Sequence, residues 1–156
     1  MTKPSGARRR PTLLSLSVIL IGLTAGCDPD GKVDMPLTQI LTQAAMAVPP
    51  GDLLVLDKVV TQPWDRAVVF GPYTPEDLMK QTLGGELPAV LLRIQIDQRD
   101  DVNLVVFLAG AQVTAAVALP RRVADFPKSE LQRLVSRAQA QWVRDAGGLA
   151  FRWQGP

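Results

Sequence analysis

The residue types that most often carry out chemistry are scarce in this chain, which has one cysteine, Cys27, and no histidine. A thiolate is a nucleophile and a metal ligand, and histidine is the commonest general base near neutral pH. A single cysteine excludes a disulfide within the chain, and a zinc site needs several cysteine or histidine ligands. We therefore expect no metal and no other cofactor, and the first question is what Cys27 does.

Cys27 follows a segment with the layout of an export signal. Four basic residues and no acidic one precede an apolar run over residues 13–23, the basic residues being Lys3, Arg8, Arg9 and Arg10. The run is too short to cross a bilayer, which takes about 20 residues, and basic, apolar and small-residue regions in this order are typical of a cleaved signal. Without the four basic residues, 13 Lys and Arg stand against 15 Asp and Glu, a net charge near −2. The pI of about 9.0 therefore describes the uncleaved chain and predicts no nucleic-acid binding.

The tetrapeptide Thr24-Ala25-Gly26-Cys27 resembles the lipobox of bacterial lipoproteins. The resemblance implies that the Cys27 sulfur receives a diacylglycerol, that the chain is cut just before it, and that the new amino group is acylated. It implies a signal peptide over residues 1–26, a lipidated cysteine with a flexible spacer over 27–33, and a single domain over 34–156. A structural cysteine, a reactive thiol and a cysteine beside an ordinary cleavage site remain the alternatives.

Lipidation predicts a location as well as a partner. More than one acyl chain anchors a protein stably, so the expected partner is the lipid bilayer, reached through acylated Cys27. The domain then faces the periplasm or the cell exterior. Asp28 is similar to the signal that retains lipoproteins in the inner membrane of some Gram-negative bacteria, which favours the inner membrane over the outer one.

The hydrophobic pattern after the spacer predicts an α+β domain, with a mostly antiparallel sheet of about five to six strands and two to three helices packed on it. An apolar stripe at 37, 40, 41, 44, 45 and 48 predicts a first helix that packs on the core, and a helix on a lipid surface is the weaker alternative because the polar face carries no Lys or Arg. A second helix is expected to begin at Thr74-Pro75 and end at Gly84-Gly85, and a third to begin at Ser129 and end at Gly147-Gly148. Strands are expected over residues 53–60, 67–70, 89–96, 102–108, 112–119 and 149–153, the first two forming a hairpin.

The tract over residues 64–74, WDRAVVFGPYT, is the most distinctive part of the predicted domain. It resembles a run found in small uncharacterised bacterial envelope lipoproteins, a resemblance that implies a fold and no reaction. We expect Trp64 and Tyr73 to flank one strand at the same end of the sheet, where aromatic side chains receive ligands or partners. Trp64, Asp65, Arg66 and Tyr73 are therefore the candidate binding residues. The alternative is structural, with Trp64 capping the core and Asp65 bonded to Arg66 or to turn amides.

Other polar groups give weaker signals. The acidic loop over residues 97–103 lacks the glycine and the later glutamate of a calcium loop and fits a solvated hairpin loop better. Arg133, Arg137 and Arg144 fall near one face of the third predicted helix and fit a solvated surface, with an anionic lipid contact as the minor option. Glu76 and Asp77 form a carboxylate pair of the kind that glycosidases use, although both suit the start of a helix.

These observations predict a membrane-tethered lipoprotein of the bacterial envelope that acts as a binding module for an envelope protein, and they give little support to catalysis. An envelope hydrolase that uses carboxylates, and a purely structural envelope protein, are the two alternatives.

Overall fold

The computed structural model describes residues 35–155. The predicted signal peptide, Cys27, Asp28 and the predicted spacer lie outside the described residues. Within this range the chain has four α-helices and two antiparallel sheets, which confirms the α+β class.

The helices and strands are numbered in chain order. The helices are α1 (Met35–Ala47), α2 (Leu56–Val59), α3 (Glu76–Leu83) and α4 (Ala89–Ile94). The strands are β1 (Leu53–Val55), β2 (Arg66–Phe70), β3 (Val102–Ala109), β4 (Gln112–Pro120), β5 (Val135–Ser136), β6 (Gln141–Arg144) and β7 (Phe151–Trp153). Short 3₁₀ turns occupy Ile96–Gln98, Lys128–Glu130 and Arg137–Gln139.

The larger sheet has the strand order β4-β3-β2-β5, and the smaller one has the order β1-β6-β7. Strand β3 is the centre of the molecule, because every residue from Val102 to Leu108 is buried. Its side chains alternate between two hydrophobic cores. Phe107 faces α1 and the smaller sheet, whereas Leu104 and Val106 face α3 and α4. The domain is therefore layered, with the larger sheet between two apolar cores.

Several predicted elements are confirmed by their local signals. Helix α1 buries Leu37, Leu41 and Ala45 along one stripe and ends before the Pro-Pro-Gly sequence. Helix α3 ends at Gly84, whose φ of 80° is the left-handed conformation that terminates helices without a steric cost. Strands β3 and β4 form the predicted hairpin across Gly110, which also has a positive φ.

The hairpin predicted for residues 53–60 and 67–70 is wrong. Only Leu53–Val55 is extended, and it pairs with β6 in the smaller sheet, while β2 pairs with β3 and β5 in the larger one. The chain turns into α2 because the Leu56 amide donates to the Ala140 carbonyl and Leu56 enters the core. The two runs therefore belong to different sheets.

The strand predicted over residues 89–96 is also wrong, because this segment forms α4 followed by a 3₁₀ turn. Leu91 and Ile94 are buried three residues apart, as on a helix, and Gln95 ends it with a φ of 51°. A short run that is apolar at almost every position fits the periodicity of a helix and that of a strand equally well, so its length and the preceding Pro88 decide which of the two forms.

The helix predicted from Ser129 to Gly147-Gly148 does not form. This segment contains two 3₁₀ turns and β5, which pairs with β2, and it continues into β6, which pairs with β1. Pairing with distant strands outweighs the local helical spacing here, and it buries Val135, Ala140 and Trp142. Arg133, Arg137 and Arg144 consequently share no helix face. The closing strand is confirmed, with Phe151 buried and Arg152 exposed.

Candidate functional site

Trp64 lies in the core. Its side chain is 4% exposed, its Nε1 donates to the Val60 carbonyl at 3.3 Å, and its ring meets Phe107 edge to face at 5.3 Å between centroids. The Arg137 guanidinium lies over the outer face of the ring at 5.2 Å, bonded also to Asp57 and to the Trp64 carbonyl. Trp64 is therefore covered on both faces, and its role is to close the end of the core.

Asp65 and Arg66 secure the turn between β3 and β4. An Asp65 oxygen accepts the Gly110 amide at 2.6 Å, Arg66 donates to the Gly110 carbonyl, and the two side chains pair with each other at 3.3 Å. The Gly110 amide, helped by Arg66, holds the pKa of Asp65 below its ordinary value. Both side chains are about half exposed, and their polar atoms serve this turn.

Tyr73 differs from the other three candidate residues of the tract in its greater exposure and in its backbone conformation. Trp64 precedes β2 and Tyr73 follows it, so the structure places the two aromatic side chains at opposite ends of this strand. Tyr73 is 60% exposed, and its φ of 59° lies in the left-handed region. Its amide donates to the Ile96 carbonyl at 2.9 Å, and the buried Thr74 hydroxyl donates to the Gly71 carbonyl at 2.7 Å. These bonds hold an aromatic residue in a backbone conformation that few residues other than glycine adopt.

Two polar residues stand near Tyr73. Gln95 is exposed, also has a positive φ, and directly precedes the residue that accepts the Tyr73 amide. Arg121 pairs with Asp125 at 2.7 Å and donates to the Asp100 carbonyl at 3.1 Å. Asp125 raises the pKa of Arg121, and Tyr73 is close enough to contribute to that rise. We call Tyr73, Gln95 and Arg121 the Tyr73 surface.

Asp125 connects this surface to the core. It accepts both Nε and Nη2 of Arg121, the Phe126 amide at 3.0 Å, and Nδ2 of Asn103 at 3.3 Å. Asn103 is fully buried on β3 and donates also to the Ala124 carbonyl at 3.0 Å. The paired Arg121 guanidinium, followed by the Asn103 amide, lowers the pKa of Asp125. Arg121 is thereby fixed in place beside Tyr73.

The remaining carboxylates that the sequence analysis considered are separate from one another. Asp101 is bonded through both oxygens to Arg99 at 2.8 and 2.6 Å, and this pairing lowers its pKa. Glu76 and Asp77 are exposed at the start of α3. Within residues 35–155, no three Asp, Glu, His or Cys side chains are grouped so as to hold a metal ion.

One surface was missed by the sequence analysis. A shallow trough of about 410 Å³ runs beside the C-terminal half of α1, and we call it the α1 trough; it is lined by Thr42, Met46, Arg122, Val123, Arg144 and Leu149. Arg144 donates to the Val48 carbonyl at 2.7 Å and lies 5.9 Å from the centre of the Phe151 ring. The available signal was weak: apolar residues of α1, such as Met46, that lie off the buried stripe.

In the part of the chain that the structure describes, no helix has the length and apolar character needed to span a bilayer. Comparisons with protein-family models, with curated proteins and with solved structures find no match to this chain. The fold and the two surfaces are therefore interpreted from their own geometry.

Proposed function

We propose that this protein is a lipoprotein of the bacterial envelope, tethered through acylated Cys27, whose domain binds an envelope protein through the Tyr73 surface. The tether is supported by the signal pattern and by Thr24-Ala25-Gly26-Cys27. The binding site is supported by one structural observation, the exposed aromatic ring of Tyr73 held on a left-handed backbone.

The energetics of Tyr73 favour a functional role. An L-residue in the left-handed region costs roughly 1–2 kcal/mol, and a ring that is 60% exposed regains little of this by burial. Such strain is found mainly at functional sites, where the surrounding structure enforces it. Tyrosine and arginine are also among the residues that contribute most to binding at protein interfaces.

Three of the described carboxylates are unsuited to the acid role that the hydrolase alternative requires. A general acid needs a raised pKa, so that it still carries its proton near neutral pH. The pKa values of Asp65, Asp101 and Asp125 are instead lowered by the hydrogen bonds that hold them. These three residues act as fixed, ionised acceptors within the fold.

The tether is tested by the mass of the N-terminal peptide from the membrane fraction, in the wild-type chain and in Cys27→Ser. A peptide that begins at Cys27 and carries acyl mass, lost in the variant, supports the proposal. An unmodified Cys27 in the wild-type chain would overturn it.

The binding surface is tested in the native membrane with a photocrosslinking amino acid at position 73. Gln112 is the matched control position, since it is exposed at the opposite end of the larger sheet. The proposal predicts a discrete crosslinked envelope protein from position 73 that is absent from position 112. Identical crosslinks from both positions, or none from position 73 in a folded chain, would refute the Tyr73 assignment and leave the tether untouched.

A further inference from the structure

Helix α1 is a surface helix with no charged residue. Its inner stripe is buried, but Met35 is 67% exposed, Ile40 49% and Met46 64%. The outward face of a surface helix ordinarily carries charged side chains. The uncharged and partly apolar outward face of α1 is therefore suited to contact something apolar.

The basic residues that α1 lacks are supplied by neighbouring segments. Arg122 follows β4 and Arg144 ends β6, and both line the α1 trough beside Met46 and the 43% exposed Leu149. Neither arginine forms an ion pair within residues 35–155. Apolar side chains flanked by guanidinium groups match the boundary between acyl chains and anionic headgroups.

We infer that the outward face of α1 and the α1 trough lie on the bilayer that carries the lipid anchor, with Arg122 and Arg144 against the phosphates of anionic phospholipids. The inference rests on the proposed tether at Cys27. It assigns a second role to the bilayer, which becomes a surface that orients the domain in addition to holding the acyl chains.

The length of the tether supports this occupant. Cys27 and Met35 are eight residues apart in the sequence, and a fully extended chain of that length spans at most about 29 Å. Helix α1 has 13 residues and is about 20 Å long. Its outward face thus remains within reach of the headgroups whenever Cys27 is anchored.

Tethering also removes the need for a strong contact. A surface held this close to the membrane meets it at a high effective concentration, so a contact too weak to recruit a free protein is still populated. A small patch with a few exposed apolar side chains and two arginines is sufficient on this reasoning.

The experiment uses the lipidated full chain in vesicles of phosphatidylethanolamine and phosphatidylglycerol. Because acylation occupies Cys27, Met46→Cys introduces a single free thiol, which carries an environment-sensitive fluorophore. Glu86→Cys is the control, since its side chain is 90% exposed next to α3, beyond the opposite face of the larger sheet. We expect nitroxide-labelled lipid to quench the label at position 46 at least about twofold more than the label at position 86. We also expect Arg122→Gln, or vesicles of phosphatidylcholine alone, to reduce that difference.

Three outcomes would overturn the inference. Equal quenching at positions 46 and 86, with acyl mass present on Cys27, refutes the membrane contact and leaves the tether intact. A label at position 46 that is shielded from aqueous iodide but not quenched by labelled lipid indicates a second copy of the chain on this face. Absence of acyl mass on Cys27 removes the proposed function and this inference together.

Discussion

The left-handed backbone at Tyr73 predicts an inversion of the usual order of stability between alanine and glycine. Alanine normally stabilises a protein relative to glycine by roughly 0.5–1 kcal/mol, because it restricts the unfolded chain. At position 73 the φ of 59° costs an L-residue roughly 1–2 kcal/mol that glycine does not lose. Tyr73→Gly should therefore be more stable than Tyr73→Ala by about 0.5–1 kcal/mol, or a few degrees in Tm for a domain of this size.

Comparison of the two variants isolates the backbone, because both lack the ring. Urea unfolding followed by tryptophan fluorescence is suitable, since Trp64, Trp142 and Trp153 are all buried. The same pair of substitutions at Gln81, an exposed residue inside α3, is the control. At this control position the alanine variant should be more stable than the glycine variant by about 1 kcal/mol. If the alanine variant is more stable than the glycine variant at both positions, the left-handed conformation of residue 73 is not imposed in solution, and the strain argument for Tyr73 is removed.

Three further predictions concern contacts that the fold depends on. Gly71→Ala should destabilise the domain by about 0.5–1.5 kcal/mol, because an added Cβ would lie 2.5 Å from Cδ1 at the end of the Leu131 side chain, which must shift. In a chain that already carries Leu131→Ala, the same substitution should cost less, as measured by thermal unfolding. Asp125→Asn should lower the free energy of unfolding by about 1 kcal/mol at neutral pH, after allowance for solvent screening. Because folding lowers the pKa of Asp125, the difference in stability from wild type should hold above about pH 4 and disappear as the pH falls through the lowered pKa of the folded state. A difference in stability that does not change with pH would contradict this. Arg137→Lys should lower the free energy of unfolding by about 1 kcal/mol although the charge is kept, because only the guanidinium can stack on Trp64 while it bonds to Asp57. An unchanged free energy of unfolding in urea would contradict that geometry.

The elements that the sequence predicts correctly are those whose signals are local. Helix α1 has a buried stripe and a Pro-Pro-Gly stop, and the β3–β4 hairpin has alternating residues on both sides of Gly110. Even so, Ile40 was placed on the stripe and is 49% exposed, since the contact made by α1 is narrower than its apolar face. Local periodicity determines that a helix forms, whereas the shape of the neighbouring surface determines how much of it is buried.

The segment for which the prediction of a helix was wrong, residues 127–144, is determined by contacts with distant parts of the chain, which no local pattern contains. Glu130 lies in the first turn of the predicted helix, yet its carboxylate accepts the Trp153 amide at 3.2 Å and its carbonyl accepts the Trp153 indole at 3.1 Å. Val135 and Trp142 occupy strands that complete two different sheets. The helical spacing was correct about the burial of Val135 and Trp142, but Leu134 and Ala138, which the same spacing placed beside them, are exposed, and the backbone is not a helix.

The candidate surfaces were predicted only in part, for the same reason. Tyr73 was a candidate from the sequence, but its left-handed conformation is held by a hydrogen bond from its amide to the Ile96 carbonyl, more than twenty residues away. The α1 trough brings together residues from α1, from the end of β4 and from the end of β6. Trp64 was predicted as a partner contact or a core residue, and its burial supports the second alternative.

The two proposed surfaces constrain each other. Helix α1 packs on one face of the larger sheet, while Tyr73 is bonded to the 3₁₀ turn that belongs to the core on the other face. If α1 lies on the bilayer, the larger sheet lies between the lipid and the 3₁₀ turn to which Tyr73 is bonded, although Arg121 of the Tyr73 surface directly precedes Arg122 of the α1 trough. A photocrosslinker at position 73 should then capture protein and no lipid, whereas one at Met46 should capture lipid. Lipid adducts from both positions would mean that the tethered domain has no preferred orientation, and the strained conformation of Tyr73 would then need an explanation other than display to a partner.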